Sequence, residues 1–382
     1  MMHVCFDARV IVDEQTGLAS YAYNLLKHLL LIDRESKYTV LINKSLREDH
    51  PVLQLQQSNL VKKMVRIPEV SFEQQFLIPF RLLKERPDVY HYPNFDVPVV
   101  HPFKTVFTVH DLTYMKYKNY YVRARRVKNA YTRYIIQYGA KKAKKIIVCS
   151  KSTKNDLLEM FDIPEDKIEV IYLALDEKFL NHGRNNSGSG TPQSVKKFIN
   201  GNRYFLFIGQ RRPHKNIERI IKAYSIFKER CYGSTLKLII GGSAYSNYEG
   251  PEKTVAALNL GNDVHFIGYV KETEIAPLYK HAECFLFPSL YEGFGLPILE
   301  SMALQTPVIT SNVSSMPEIA GRAAITVDPH SVEDIARAMM DVVKSEPLKR
   351  TLQCEGLKRV ADFSWRQAAE RTLNVYENIC IK

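Results

Sequence analysis

The sequence predicts an α/β protein of two units of similar size, each a parallel sheet with helices between its strands. Three observations lead there. Short apolar runs of strand length alternate with longer stretches whose apolar residues recur at helical spacing. A polar stretch at 181–202 interrupts the alternation. Beyond it a new series of the same kind begins.

In chain order, VCFDARVIV reads as the first strand. GLASYAYNLLKHLLLI follows, with Leu18, Leu25, Leu26, Leu29 and Leu30 at near-helical spacing. YTVLIN, VYHYP, KTVFTVHD and KIIVCS read as further strands, separated by helical stretches such as SKSTKNDLLEMF. These make an N-terminal unit at 1–180. The 181–202 segment contains NHGRNNSGSGTPQS, too polar to bury a core, and reads as a flexible linker or long loop. RYFLFIGQ, LKLIIGG, VHFIGYV, ECFLFPS and TPVITS supply the strands of a second unit at 203–362. Such sheets bind ligands at the carboxyl ends of their strands, so the cleft between two facing units is the expected site.

Composition fits this reading. The chain of 382 residues exceeds one comfortable core, and 45% apolar with 25% charged residues is ordinary for a soluble globular protein. The start, Met1 to Phe6 followed by Asp7 and Arg9, lacks the layout of a secretory signal. No apolar stretch approaches the roughly 18 to 20 residues that span a bilayer. A cytoplasmic protein is expected, able to touch a membrane from that side. Of six cysteines, Cys5, Cys149 and Cys284 lie in apolar runs, and Cys231, Cys354 and Cys380 complete the set without CxxC spacing. Reduced thiols are expected rather than a disulfide framework or a zinc site. The net charge of +12 suits an anionic partner, whether nucleic acid, anionic lipid or a phosphorylated substrate.

The most informative segment is YEGFGLPILE, residues 291–300, between the strand CFLFPS and the helical ESMALQ. Its two glycines let backbone approach a ligand, and the helix N-terminus just beyond favours an anion such as diphosphate. Glu292 and Glu300 flank the turn, one able to reach sugar hydroxyls and the other a ribose diol. A plain turn with two surface glutamates has the same pattern. At a second strand-to-helix turn stands GQRRPHKN, residues 209–216. Arg offers phosphate a planar fork and Lys a mobile point charge, and fixed cations stabilise a departing diphosphate. A solvated basic turn is the alternative.

EGFGLPILE, with GQRRPHKN about eighty residues earlier, resembles glycosyltransferase family 4 of the GT-B fold. The likeness covers nearly the whole chain: GLASYAYNLL, TVHDLTY, VCSKSTKNDLLEMFDIPEDKIEVIYLALDEKF, NVSSMPEIAGRAAITVDP and FSWRQAAERTLNVYENI each resemble a segment of that family. The resemblance implies two Rossmann-like domains facing across a cleft, an N-terminal acceptor domain and a C-terminal nucleotide-sugar domain. It implies a C-terminal helix at 363–382 that crosses back to the first domain. It also implies a retaining hexosyltransferase using a nucleotide-sugar donor, without a metal or other cofactor. Carried over by position, Glu300 holds the ribose hydroxyls and Glu292 contacts the donor sugar near its reacting carbon. Phe294 and Gly295 offer backbone amides to the donor, with Leu296 beside them. Lys215 neutralises the diphosphate together with Arg211 or Arg212. Many relatives carry Arg directly after the glycine where this chain has Gln210, so both arginines stay open for that contact.

In the first half, His110 ends the strand KTVFTV, where it can hydrogen-bond a sugar hydroxyl or polarise the reacting centre. Gly17 serves either a tight turn or close approach of diphosphate or acceptor. Residues 112–155 hold no Asp or Glu but many Lys, Arg and Tyr. That composition fits a solvated basic face or docking on an anionic membrane, where a lipid-linked acceptor sits. No nucleic-acid-binding module is recognisable. The expected function is transfer from a nucleotide sugar, with GDP-mannose favoured, to a glycan or lipid-linked acceptor in surface-polysaccharide biosynthesis. The rival readings are a nucleotide-sugar epimerase on the same fold, a non-catalytic nucleotide- or glycan-binding protein, and a basic RNA- or membrane-binding protein.

Overall fold

The computed structural model describes residues 1–14, 16–69, 71–98, 103–117, 125–184, 193–199, 201, 203–245 and 248–381. It divides into two compact units, Met1–Ala174 with Ser364–Lys382, and Leu175–Phe363.

The first unit carries seven strands: β1 His3–Asp7, β2 Lys37–Asn43, β3 Leu60–Val65, β4 Val89–Tyr92, β5 Lys104–Val109, β6 Lys145–Val148 and β7 Ile168–Val170. Their order is β3-β2-β1-β4-β5-β6-β7, and every neighbouring pair is parallel. Central strands of such a sheet are covered on both faces, so they read as continuous apolar runs. Val4, Cys5 and Phe6 are fully buried accordingly. The helix Gly17–Ile32 opens on Thr16, whose hydroxyl accepts from the Ala19 amide at 3.1 Å, and buries Ala22, Leu25, Leu26, Leu29 and Leu30. The helix Trp365–Ile381 packs with this unit. Its Trp365 ring lies 6.1 Å from Tyr21, and Lys104 Nζ donates to the Ile379 carbonyl at 2.7 Å.

The first strand is shorter than VCFDARVIV suggests. It stops at Asp7 because Arg9 folds back on it, with Nε to Oδ1 and Nη2 to Oδ2 both at 2.8 Å. Both residues are fully buried. Tyr90 adds a hydroxyl to Asp7 at 2.7 Å, and Gln74 Oε1 accepts from Arg9 Nη2 at 3.0 Å. A buried ion pair is tolerated when its remaining hydrogen-bonding positions are met in this way.

The second unit has six strands: β8 Tyr204–Ile208, β9 Lys237–Gly241, β10 Val264–Gly268, β11 Ala282–Phe287, β12 Val308–Ser311 and β13 Ile325–Val327. All pairs are parallel, in the order β10-β9-β8-β11-β12-β13. The order runs outward in both directions from β8 and β11, so the loops leaving these two strands diverge and open a crevice at their carboxyl ends.

The linker reading of 181–202 needs correction at both ends. Residues 181–184 close the helix Glu177–Arg184, and 193–199 form the helix Gln193–Ile199. Gly183 is a packing glycine rather than a flexible one: a Cβ there would lie 2.4 Å from the Ala303 carbonyl oxygen. Val195 is fully buried, and Phe198 stacks on His265 at 4.1 Å, so two apolar residues three apart anchor the second helix. The second unit accordingly begins at Leu175 rather than at 203, and the first part of the first unit ends at Ala174 rather than at 180. Residues 185–192, the Ser/Gly core of that segment, lie outside the described residues.

Candidate active site

The site in the second unit is built on the loops that leave β8 and β11. The β8 loop is zipped to the β9 loop: Gly209 N donates to Gly241 O at 3.0 Å and Arg211 N to Ser243 O at 3.1 Å. Gly242, at φ 123, is required there, since a Cβ would fall 1.9 Å from Gly209 O. After a short 3-10 turn, Pro213–Lys215, Asn216 takes a left-handed conformation at φ 62. Its Nδ2 donates to the carbonyls of Pro288 at 2.9 Å and Pro329 at 2.7 Å. One buried side chain therefore ties together the ends of β8, β11 and β13. His214 lies beneath, its imidazole pushed down to about 3 by burial and by Lys215 and Arg212, so it is a neutral structural group. Its carbonyl accepts from Leu290 N at 2.8 Å.

Lys215 projects from this turn to Glu292 on the β11 loop, with Nζ to Oε1 at 2.6 Å and side chains 16% and 13% exposed. The ammonium also sits 5.0 Å from the Phe287 ring centre. The Glu292 backbone is fixed by two serines the sequence did not single out. Ser314 Oγ and Ser315 Oγ donate to its carbonyl at 2.7 and 3.0 Å, and Ser315 Oγ also reaches the Phe294 carbonyl at 2.8 Å. Phe294 is buried edge-on to Phe363 at 5.8 Å. Gly295, at φ 106, then turns the chain into the helix Leu296–Ala303, which has no side-chain cap at its start. An uncapped helix N-terminus with aligned amides is a natural anion seat.

Glu300 lies inside that helix. Burial pushes its carboxyl up to about 7, against the opposing pull of the Tyr279 hydroxyl, which donates to Oε2 at 3.1 Å, and of Lys178. The arginines part company. Arg211 is 8% exposed, pairs with Glu252 through Nη1, and stacks over Phe266 at 4.8 Å. Arg212 is only half-buried, with Nε bound to Gln210 Oε1 at 2.6 Å and its guanidinium 5.3 Å from the Tyr245 ring centre. Arg212 is thus the more exposed of the two arginines. Asn216, Ser314 and Ser315 sat unremarked inside GQRRPHKN and NVSSMPEIAG. Their signal is polarity at strand-to-helix turns, whereas Tyr279 and Glu252 come from distant helices and left no local sign.

Gly17 and His110 belong to the first unit, at the carboxyl ends of β1 and β5. Gly17 begins its helix with no left-handed φ, and a Cβ there would meet nothing within 4 Å. Neither turn geometry nor packing therefore requires glycine. His110 Nε2 lies 3.0 Å from the Pro93 carbonyl, which can only accept, so Nε2 carries the proton and Nδ1 is the acceptor. Burial lowers its pKa, keeping the ring neutral, and Tyr21 packs edge-on at 4.6 Å. A cavity of about 500 Å³ in the same unit is lined by Lys144, Lys145, Glu169 and Arg371, at the amino end of β6. Among the described residues no group of three His, Cys, Asp or Glu could hold a metal ion. No described helix is long and apolar enough to cross a membrane.

Two Rossmann-like sheets, with cations and carboxylates at a strand-order switch, define a nucleotide-sugar transferase of the GT-B type. The chain belongs to glycosyltransferase family 4: the family model "Glycosyltransferase Family 4" matches residues 16–179, and "Glycosyl transferases group 1" matches 192–359. It is 27% identical to O-antigen chain mannosyltransferase B of Escherichia coli, over 98% of this chain and 100% of that protein. It is 29% identical to the serotype-specific mannosyltransferase WbdA of Escherichia coli, over 73% of this chain but 34% of that longer protein. Among solved structures, Anabaena HepE in complex with UDP and glucose superposes with a TM-score of 0.71, at 14% identity over 99% of this chain and 100% of that one. The protein is a glycosyltransferase, and the epimerase and non-catalytic readings are not favoured.

Proposed function

We propose that the chain moves mannose from GDP-mannose, with retention of anomeric configuration, to a glycan or lipid-linked acceptor of a surface polysaccharide. The observation that carries the reading is the Lys215–Glu292 pair at 2.6 Å, a cation suited to phosphate beside a carboxylate suited to a sugar. The whole-length likeness to an O-antigen mannosyltransferase supports mannose as the sugar.

In this reading the incoming diphosphate takes Lys215 Nζ away from Glu292, with Arg212 turning in as second cation. The amides of Phe294, Gly295 and Leu296 face the same phosphates. Glu292, released, accepts from a hydroxyl of the sugar near its reacting carbon, and Glu300 accepts from the ribose diol. His110 accepts a sugar hydroxyl at Nδ1. The bond from the anomeric carbon to the phosphate oxygen breaks with its electron pair left on phosphate. The acceptor oxygen bonds to that carbon on the same face, and its proton passes to the departing phosphate. Fixed cations at the leaving group carry most of the barrier reduction. No resident metal enters this reading, so EDTA should leave turnover unchanged.

Arg212→Ala should raise the donor KM about tenfold with an unchanged melting temperature. Arg211→Ala should instead lower the melting temperature, because it removes a buried side chain that packs over Phe266 and pairs with Glu252. Gly17→Ala should keep or raise the melting temperature, since Ala is the better helix former by up to about 1 kcal/mol. It should cut kcat/KM about tenfold or more by occupying space needed by diphosphate or acceptor.

The acceptor is proposed to arrive at the cytoplasmic face of a membrane. In the basic stretch 112–155, Tyr134 is 57% exposed, stacks on Tyr138 at 5.9 Å, and Lys142 Nζ covers the Tyr138 ring at 5.9 Å. Residues 118–124 of that stretch lie outside the described residues. The deciding test is a panel of nucleotide sugars, read by thermal stabilisation and by sugar transfer. GDP-mannose should give the largest shift and the transferred sugar. A larger response to a UDP-sugar would replace the donor, and no response to any would overturn the reading.

A further inference from the structure

The helix Phe72–Glu85 is apolar on two opposite faces. It starts on Ser71, whose hydroxyl accepts from the Gln74 amide at 3.2 Å. Gln74, Ile78, Pro79 and Leu82 are buried in the first unit. At 100° per residue, positions two earlier lie about 200° around the helix, which places Phe72, Phe76 and Phe80 on the far side. There they are 78%, 61% and 57% exposed, with Leu77 at 46% and Leu83 at 55%. An amphipathic surface helix turns polar residues outward, so three outward phenylalanines in one row call for a cover.

The rim indicates which cover. Lys84 and Arg86 are exposed at the end of the helix, and Lys84 Nζ lies 4.7 Å from the Phe80 ring centre. Arg81 is half-buried beside them, and Lys63 of β3 reaches Glu85 at 3.6 Å. Lys62 and Arg66 are exposed at the same edge strand. Against these stand Glu85, which offsets Lys63, Glu73 in the first turn, exposed, and Glu69 half-buried before it. The stripe is roughly 16 Å long and exposes on the order of 500 Å² of apolar side chain. An interface of roughly 800 Å² per partner carries a similar apolar area, so the charge of the rim, not the area, selects the cover. A fluid bilayer needs no matching shape, and anionic headgroups complement the lysines and arginines.

We propose that the outward face of Phe72–Glu85 inserts its phenylalanines into the interface of an anionic membrane and holds the first unit there. The inference rests on the membrane-delivered acceptor above, but it assigns the anchoring to a different element from the basic 112–155 stretch.

The test is co-sedimentation of the full chain with vesicles of phosphatidylglycerol and phosphatidylcholine, and with phosphatidylcholine alone. The wild type should pellet with the anionic vesicles and far less with the neutral ones. Phe76→Ser/Phe80→Ser should bind about tenfold or more weakly, with unchanged melting and unchanged transfer to a water-soluble acceptor. Phe76→Trp should shift its emission to the blue on anionic vesicles, over a constant background from buried Trp365. If the double variant bound as well as the wild type while Lys141→Ala/Lys142→Ala did not, the helix would be excluded and the membrane reading kept. If the wild type bound no vesicles, both would fall. Loss of a dimer in the double variant, seen by light scattering, would make this face a contact between copies and overturn the proposal. Failure of sugar transfer with vesicle binding intact would strike the proposed function alone.

Discussion

Lys215→Ala is expected to lower kcat/KM by about 10²- to 10³-fold, the usual cost of removing one preorganised group that stabilises developing negative charge. The same variant should lose most of its affinity for a free nucleoside diphosphate. The pair at 2.6 Å makes the partner's behaviour specific. In Lys215→Ala, Glu292 is left half-buried without its cation, so a diphosphate meets an uncompensated carboxylate as well as a missing ammonium. Glu292→Ala frees Lys215 and should bind free nucleoside diphosphate more tightly than the wild type, because no internal anion has to be displaced. Its turnover should still fall steeply, since the sugar loses its carboxylate. The double variant should therefore be far from additive. Diphosphate affinity by calorimetry and kcat/KM for the three variants complete the cycle. Equal diphosphate affinity in the wild type and Glu292→Ala would show that the pair does not compete with the ligand.

Glu300 sets the second large effect, on pH. Its carboxyl titrates near 7 rather than in the ordinary carboxylate range, chiefly because it is buried. A ribose diol donates to the ionised form. The donor KM should accordingly rise as pH falls through about 7, and Glu300→Gln should give a raised KM that no longer changes with pH. The stability consequence has the opposite sense. Between the ordinary carboxylate pKa and 7 the folded state binds more protons than the unfolded one, so this group lowers stability as pH rises across that window. Glu300→Gln should be more stable than the wild type by about 1–3 kcal/mol above pH 7, with the difference fading below about pH 5. Melting curves at pH 5 and 8 read this directly. A variant less stable than the wild type at pH 8 would mean that the ionised carboxylate is well paired in the fold.

The central strands of both sheets were legible in the sequence because they are buried on both faces and read as unbroken apolar runs. β3, β7 and β13 were not. Each is an edge strand: LVKKMV puts two lysines in the middle of β3, and β7 and β13 span three residues each. Edge strands are partly exposed, and the apolar signal weakens with the exposure. Lys215, Glu292 and Gly295 drew notice in the sequence because they stand close to glycine and proline at strand ends, and Glu300 because it lies in the helix just beyond. What the sequence could not separate was Arg211 from Arg212. The distinction depends on Glu252 and Phe266, some forty and fifty residues away, which claim the first arginine and leave the second near the surface. The outward phenylalanines of residues 72–80 were likewise hidden, since a helix with apolar residues on two faces cannot announce which face is covered.

Asn216 binds two foreign carbonyls with one amide group, and Arg219 Nη1 holds its Oδ1 at 2.9 Å. Anyone grafting donor preference from a relative must therefore transplant the turns after β8, β11 and β13 as one cassette. A chimera that exchanges a single turn inherits a carbonyl at the wrong height, and the mismatch spreads to the other two.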